Sequence, residues 1–191
     1  MSGRSFYKNM VNIFLVGPMG SGKTAVGKQL AKLLQVQFYD SDAEVERVAG
    51  VDISYIFEKE GEDSFRKRET EAIENLTQLN GIVLATGGGA ILAEQNRKCL
   101  QARGKVVYLR TSVEQQVDRT RHGRHRPMLN VSDPEQRLRS LFAIRAPLYE
   151  AIATIIVTTD HRRVSTVAQE IISGLHLNPS SQVDTPIDEQ G

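Results

Sequence analysis

Short apolar runs recur along the chain and are separated by longer stretches with helical spacing. The runs cover residues 13–16, 37–39, 82–85, 105–109 and 154–157. Four of the five are nearly all apolar, which is typical of parallel strands covered on both faces. Between the runs, apolar residues fall on single helical faces, as with Val164, Val167, Ala168, Ile171, Ile172 and Leu175. This alternation predicts a three-layer α/β domain with a central parallel five-stranded sheet and right-handed crossovers.

The length of 191 residues suits one domain with one core. We place this domain at residues 11–176, after an N-terminal extension at 1–10 and before a tail at 177–191. Beyond Leu177 the tail is polar, contains proline and lacks apolar periodicity. Because such a segment cannot offset the entropy of being ordered, we expect it to be disordered.

Charge, cysteine content and the lengths of the apolar runs limit which partners, covalent links and cellular locations we expect. With 24 Lys and Arg against 23 Asp and Glu, the net charge of +1 gives no support for nucleic acid or an anionic membrane as a partner. Cys99 is the only cysteine, which excludes an intramolecular disulfide and a thiolate zinc cluster. The chain has no apolar run of membrane-spanning length, and its first ten residues lack the apolar core of a secretory signal. We therefore expect a cytoplasmic protein.

The stretch GPMGSGKT, residues 17–24, lies between the first predicted strand and a helical pattern. It matches the phosphate-binding P-loop, Gly-x-x-x-x-Gly-Lys-Thr, in the required strand-loop-helix context. In this motif backbone amides and the helix N-terminus bind phosphate oxygens, the lysine reaches the β- and γ-phosphates, and the threonine ligates Mg²⁺. The motif assigns these roles to Lys23 and Thr24.

The ends of the other predicted strands are candidates for the site of a second substrate, because ligands bind at the carboxyl edge of such sheets. After the second strand, Ser41 and Glu44 have the spacing of a capping box, which leaves Asp40 and Asp42 available for function. We favour a functional role for Asp42.

Three successive glycines, Gly87, Gly88 and Gly89, follow the third strand. Either this turn needs positive φ repeatedly or another group approaches its backbone closely, and a plain flexible turn is the ordinary alternative. At a ligand-binding edge, we expect the backbone amides to face a polar substrate.

The segment 119–126 holds four arginines and two histidines. A solvated face and a nucleic-acid patch are alternatives, but a basic loop near a P-loop suits a mobile lid over ATP, which we place at about 119–130. The predicted fold is then a P-loop NTPase-type αβα domain with a mobile lid, as in nucleoside monophosphate kinases.

Two further arginines are candidates for binding an acidic substrate. The spacing of Arg66 from Glu62 and Glu69 equally fits surface ion pairs, and Arg145 precedes Pro147, where we expect its helix to end or kink. Two arginines in one pocket would bind a carboxylate bidentately, but spacing does not bring them together.

With these motifs in order, the chain resembles the shikimate kinases, small P-loop enzymes that phosphorylate the 3-hydroxyl of shikimate with ATP. The resemblance runs from about residue 12 to about residue 175. It rests on GPMGSGKT, FYDSD, FR at Phe65 and Arg66, TGGGA, RP at Arg126 and Pro127, and RAPLY from Arg145.

The resemblance implies a role for each of these positions. The catalytic residues would be Lys23, Asp42 and Arg126. ATP would contact Gly20, Ser21, Gly22, Lys23, Thr24, Ala25, Arg119 and Arg126, with Arg119 stacking on the adenine. Thr24 would ligate Mg²⁺, and Asp40 would hold its hydration shell. Shikimate would contact Asp42, Phe57, Phe65, Arg66, Gly87, Gly88, Gly89 and Arg145, with the two arginines on its carboxylate.

Rival functions share parts of this pattern. A kinase for another small polar acid, such as gluconate, would keep the P-loop and the fold. A regulatory P-loop protein that reads guanine would carry Asn-Lys-x-Asp, which this sequence lacks. A nucleic-acid-stimulated ATPase would use the segment 119–126 and bind in a salt-dependent manner. The family likeness indicates a monomer.

Overall fold

The computed structural model describes residues 11–120 and 133–177. The predicted extension at 1–10, most of the predicted lid including Arg126, and residues 178–191 of the predicted tail lie outside the described residues.

Five strands form one sheet in the described chain. They are β1 (Ile13–Val16), β2 (Gln37–Asp40), β3 (Ile82–Ala85), β4 (Lys105–Arg110) and β5 (Ile155–Thr158). Their order is β2-β3-β1-β4-β5, and every pair is parallel. The predicted strands and the parallel five-stranded sheet are confirmed, with bounds that differ by at most one residue.

Helices connect the strands. They are α1 (Lys23–Leu34), α2 (Ser41–Ala49), α3 (Ile53–Lys59), α4 (Glu62–Leu76), α5 (Glu94–Arg103), α6 (Val113–Thr120), α7 (Pro134–Ile152) and α8 (Val164–Gly174), with a 3₁₀ turn at Ala90–Leu92. In the described chain, none of these helices is both long enough and apolar enough to cross a membrane.

The sheet separates two apolar cores. Along β1, Ile13 and Leu15 face the core that includes α1 and α8, whereas Phe14 and Val16 face the core that includes α4, α5 and α7. The prediction of strands covered on both faces holds for β1, β3 and the four central residues of β4 but is wrong for β5. Ile156 is 40% exposed because β5 is an edge strand.

Pro147 does not end its helix. The helix α7 continues through it to Ile152, so that part of the expectation for Arg145 is wrong. Tyr149 and Ile152, which follow the proline, are buried in the core. Their packing offsets the hydrogen bond that a proline cannot donate.

The helix α8 provides a test of the core that it covers. Ile171 is fully buried, and truncation to Ile171→Ala should cost about 2–5 kcal/mol of unfolding free energy because it removes contacts and leaves a cavity. Urea denaturation followed by circular dichroism measures this cost. Val164→Ala on the same helix is the control, since Val164 is 39% exposed, and it should change stability by about 0.5 kcal/mol or less. Equal effects of the two variants would contradict the assigned core.

Candidate active site

The loop after β1 has the backbone geometry of a phosphate cradle. Gly17, Gly20 and Gly22 have φ of 148°, 80° and 87°, which side chains rarely adopt. A Cβ at Gly17 would also lie 2.6 Å from the carbonyl oxygen of Leu109. Glycine is therefore required at these three positions by the backbone conformation and, at Gly17, also by close packing.

The N-terminus of α1 is open to an anion. Gly22 is the N-cap, no side chain caps the helix, and its first turn contains no acidic residue. The helix amides and the positive dipole end therefore remain available to phosphate oxygens. Lys23 Nζ donates to the carbonyl oxygens of Gly17 and Pro18, both at 2.8 Å, which holds the ammonium against the loop.

Asp40 links the P-loop helix to α2. The hydroxyl of Thr24 donates to Asp40 Oδ2 at 2.9 Å, and Asp40 Oδ1 accepts from the amide of Asp42 at 3.1 Å. Asp40 is therefore the N-cap of α2. The hydroxyl and the carboxylate are hard oxygen ligands of the kind that Mg²⁺ prefers.

The predicted capping box of Ser41 and Glu44 is wrong. Ser41 Oγ instead accepts the amide of Gly87 at 2.9 Å, and Glu44 pairs with Arg47. Asp40 keeps an extended backbone at the end of β2, so its carboxylate reaches the helix amide first. Ser41 is thereby available to tie α2 to the turn after β3.

The glycine turn is a place of close approach. None of Gly87, Gly88 and Gly89 has positive φ, so that alternative is wrong. A Cβ on Gly87 would overlap Glu69 Oε1 and lie 2.7 Å from Asp42 Oδ1, and one on Gly89 would lie 2.6 Å from Arg66 Cζ. The missing side chains leave room for charged groups.

Only part of the expectation for the turn amides holds. The amide of Gly87 is bonded to Ser41 Oγ, whereas those of Gly88 and Gly89 have no acceptor among the described residues. Two amides of this turn are therefore available to a ligand.

Two carboxylates, one buried and one partly buried, meet beside this turn. Glu69 is 1% exposed, and Asp42 Oδ1 and Glu69 Oε1 have no hydrogen-bond partner in the described chain. Burial raises the pKa of Asp42 to about 7, and repulsion from Glu69 acts in the same direction. Burial also raises the pKa of Glu69, against the attraction of Arg66. Unsatisfied buried oxygens of this kind favour a ligand that donates hydrogen bonds.

The two candidate arginines converge on the same cleft. Arg66 donates to Glu69 Oε2 at 2.7 Å and to Glu62 Oε1 at 2.9 Å. Arg145 is 6% exposed, and its Nε has no hydrogen-bond partner in the described chain. Burial lowers the pKa of Arg145, and the positive charge of Arg66 contributes. A buried guanidinium with an unsatisfied Nε donor near a second guanidinium is suited to binding an anion.

Arg119 lies at the opposite side of the P-loop. It donates to the carbonyl oxygen of Gly20 at 3.0 Å and to that of Thr159 at 2.8 Å. Arg119 therefore connects the P-loop to the chain that follows β5.

One cleft of about 800 Å³ contains these groups. Within the described residues, every predicted site residue lines it except Ser21, which is fully buried and donates its amide to Pro18. Phe57 and Phe65 form part of the wall, with ring centroids 4.9 Å apart. The cleft also includes Met19, Glu46, Asp52, Ile53, Ser54 and Thr86.

Glu69 is the main site residue that sequence reasoning missed. Its spacing from Arg66 fits an ordinary surface ion pair. The buried residues of α4 are Phe65, Glu69, Ala72, Ile73 and Leu76. A carboxylate on this otherwise apolar helical face was the signal that could have identified it.

The comparisons with known proteins agree with one another. The family model described as shikimate kinase matches residues 19–176. The shikimate kinase of Histophilus somni is 55% identical over 162 residues, 84% of this chain and 93% of the relative. That of Pasteurella multocida is also 55% identical over 162 residues, with the same coverage of both chains.

A solved structure gives the same result. The shikimate kinase from Acinetobacter baumannii in complex with shikimate has a TM-score of 0.87 and 49% identity. The alignment covers 89% of this chain and 95% of that one. On this evidence, the chain belongs to the shikimate kinase family.

Proposed function

We propose that the cleft binds ATP and shikimate side by side and transfers the γ-phosphate to the 3-hydroxyl, giving shikimate 3-phosphate and ADP. This reaction belongs to aromatic amino acid biosynthesis. The observation that carries the proposal is the buried Arg145, which has an unpaired Nε beside Arg66 in the cleft that the P-loop opens into. Shikimate carries the carboxylate that such a pair would bind, and the Acinetobacter relative was solved with shikimate.

The P-loop side is the proposed nucleotide site. The amides from Gly20 to Ala25 and the ammonium of Lys23 would bind the β- and γ-phosphates. Arg119 would flank the adenine, and Arg126, outside the described residues, remains a proposed phosphate ligand from the lid.

The residues present fit Mg²⁺ bound together with phosphates and water. Thr24 and Asp40 provide oxygen ligands 2.9 Å apart, and the described chain has no group of three His, Cys, Asp or Glu that could hold a metal by itself. Few protein ligands are typical of nucleotide-bound Mg²⁺. When bound, Mg²⁺ supplies positive charge that stabilises the phosphate oxygens.

The acceptor side would orient shikimate for in-line transfer. Arg66 and Arg145 would hold its carboxylate, and Glu69 would fix the guanidinium of Arg66. Asp42 would accept the proton of the reacting hydroxyl, while the free amides of the glycine turn would bind other oxygens. Phosphoryl transfer depends mainly on positioning and charge stabilisation, which this arrangement provides.

We also propose that the protein acts as a cytoplasmic monomer without nucleic-acid or membrane partners. Residues of one chain form the whole described cleft, and the net charge is +1. A single chain therefore has the groups that the reaction needs.

The substrate assignment is tested by ADP release with MgATP. We expect turnover that depends on shikimate, because only a compact hydroxy acid places a carboxylate on the arginines and a hydroxyl at Asp42. Gluconate and a sample without acceptor are the controls. Turnover with gluconate alone would favour the rival acid kinase, and acceptor-independent hydrolysis would favour a non-kinase ATPase.

Asp42→Asn tests the proposed base. The amide keeps the shape of the side chain but cannot accept the proton, so kcat should fall roughly 10²- to 10⁴-fold. Steady-state kinetics at saturating ATP and shikimate measure the change. Glu44→Gln on the same helix is the control, since Glu44 pairs with Arg47 and does not line the cleft. An unchanged kcat in Asp42→Asn would remove Asp42 from the chemical step.

Arg145→Ala tests the carboxylate site. The variant removes the guanidinium that would pair with the shikimate carboxylate. The KM for shikimate should therefore rise by about 30-fold or more, while the KM for ATP changes little. The matched control is Arg139→Ala, because Arg139 lies on the same helix but is half-exposed and pairs with Glu114 and Glu135. Similar kinetics in the two variants would exclude Arg145 from the acceptor site.

A further inference from the structure

A buried tyrosine hydroxyl donates a hydrogen bond to the glycine turn from the side of the core. Tyr149 is fully buried, and its hydroxyl donates to the carbonyl oxygen of Gly88 at 2.5 Å. Burial raises the pKa of Tyr149 far above its ordinary value, so the hydroxyl remains a donor at all working pH values. Its ring stacks on that of Tyr108 from β4, with centroids 5.0 Å apart. The ring position is therefore fixed by the core.

The peptide that accepts this hydrogen bond joins two glycines. Gly88 and Gly89 both lack a Cβ, so rotation of the peptide plane between them meets little steric resistance. In a trans peptide the carbonyl of one residue and the amide of the next point in opposite directions. With the Gly88 carbonyl directed at Tyr149, the Gly89 amide points away from the core. Gly89 lines the cleft against the guanidinium of Arg66, and its amide has no acceptor in the described chain.

The same helix also carries an acceptor ligand. Arg145 precedes Tyr149 by four residues on α7, so the two side chains lie on one face, one turn apart. This face presents a guanidinium to the cleft and a hydroxyl to the glycine turn. The separation between Arg145 and the turn amides is therefore set through one continuous helix.

We propose that Tyr149 is a positioning residue of the acceptor site, which fixes the Gly88–Gly89 peptide so that the Gly89 amide faces the shikimate carboxylate alongside Arg66 and Arg145. This inference rests on the proposed function of the cleft. Tyr149 touches neither substrate and acts through the backbone of the turn, although its hydroxyl also lies close to the guanidinium of Arg145. A change at the Gly89 amide distinguishes an effect on the turn from an effect on Arg145.

The test is Tyr149→Phe in the full chain, which removes the hydroxyl and keeps the ring. The KM for shikimate should rise roughly 3- to 10-fold, as expected for one lost hydrogen bond, with the KM for ATP within about 2-fold of the wild type. Steady-state kinetics with each substrate varied in turn measure this split. The amide resonances of a ¹⁵N-glycine sample report on the turn directly, and the Gly89 signal should shift or broaden in the variant before shikimate is added.

Tyr108→Phe is the matched control. Tyr108 belongs to the same ring pair, and its buried hydroxyl has no hydrogen-bond partner of ordinary geometry in the described chain. This variant should leave both KM values within about 2-fold of the wild type. Urea denaturation of both variants shows whether a change in stability accompanies the kinetic effect.

The possible results separate this inference from the proposed function. If Arg145→Ala raises the shikimate KM but Tyr149→Phe matches Tyr108→Phe, the positioning role is overturned and the acceptor site stands. Equal rises in both KM values with lowered stability would also overturn it, since that is the signature of a merely structural residue. If the wild type shows no shikimate-dependent turnover, or Arg145→Ala has no effect, both the acceptor site and the role of Tyr149 are overturned.

Discussion

The parallel pairing of the five strands is the constraint on which the site depends. Because every strand runs in the same direction, the loops that follow β1, β2 and β3 leave from one edge of the sheet. The order β2-β3-β1 then places the glycine turn between the P-loop and the start of α2. The P-loop, Asp42 and the glycine turn therefore line one cleft.

Within this cleft, buried charge is balanced incompletely. Glu69 compensates part of the charge of Arg66, yet oxygens of Asp42 and Glu69 and the Nε of Arg145 have no partner in the described chain. Such desolvated groups cost stability in the protein without ligand. The same groups would complement the proposed acceptor, which combines a carboxylate with several hydroxyls, so under the proposed function this cost is a consequence of acceptor recognition.

The glycines and Tyr149 both determine the geometry of the turn after β3. Gly87 and Gly89 leave space that the carboxylates and the guanidinium of Arg66 occupy, because a methyl group at either position would overlap them. The amide of Ala90 on the Gly87 carbonyl and the amide of Gly87 on Ser41 Oγ hold the two ends of the turn, while the peptide between Gly88 and Gly89 keeps the freedom of two glycines. The hydroxyl of Tyr149 bonds to the carbonyl of that peptide from the core, which is the contact on which the proposed positioning role rests.

The sequence by itself determined the strands, the P-loop and the candidate charges. Each of these follows from patterns within a few residues: apolar runs, the spacing of Gly17, Gly22 and Lys23, and strand-end positions such as Asp42. Pro147 and the capping box at Ser41 show the limit of such patterns, since packing of the last turn of α7 and the reach of Asp40 overrode them.

Only the tertiary structure decided which distant groups meet. Arg66 and Arg145 lie on separate helices, Ser41 bonds to Gly87 across 46 positions, and Tyr149 to Gly88 across 61. Local spacing gave Glu69 and Arg66 the appearance of a surface pair, whereas docking of α4 buried the carboxylate beside Asp42. Such contacts depend on strand order and helix packing, which are set by the whole core and are not encoded in any short segment.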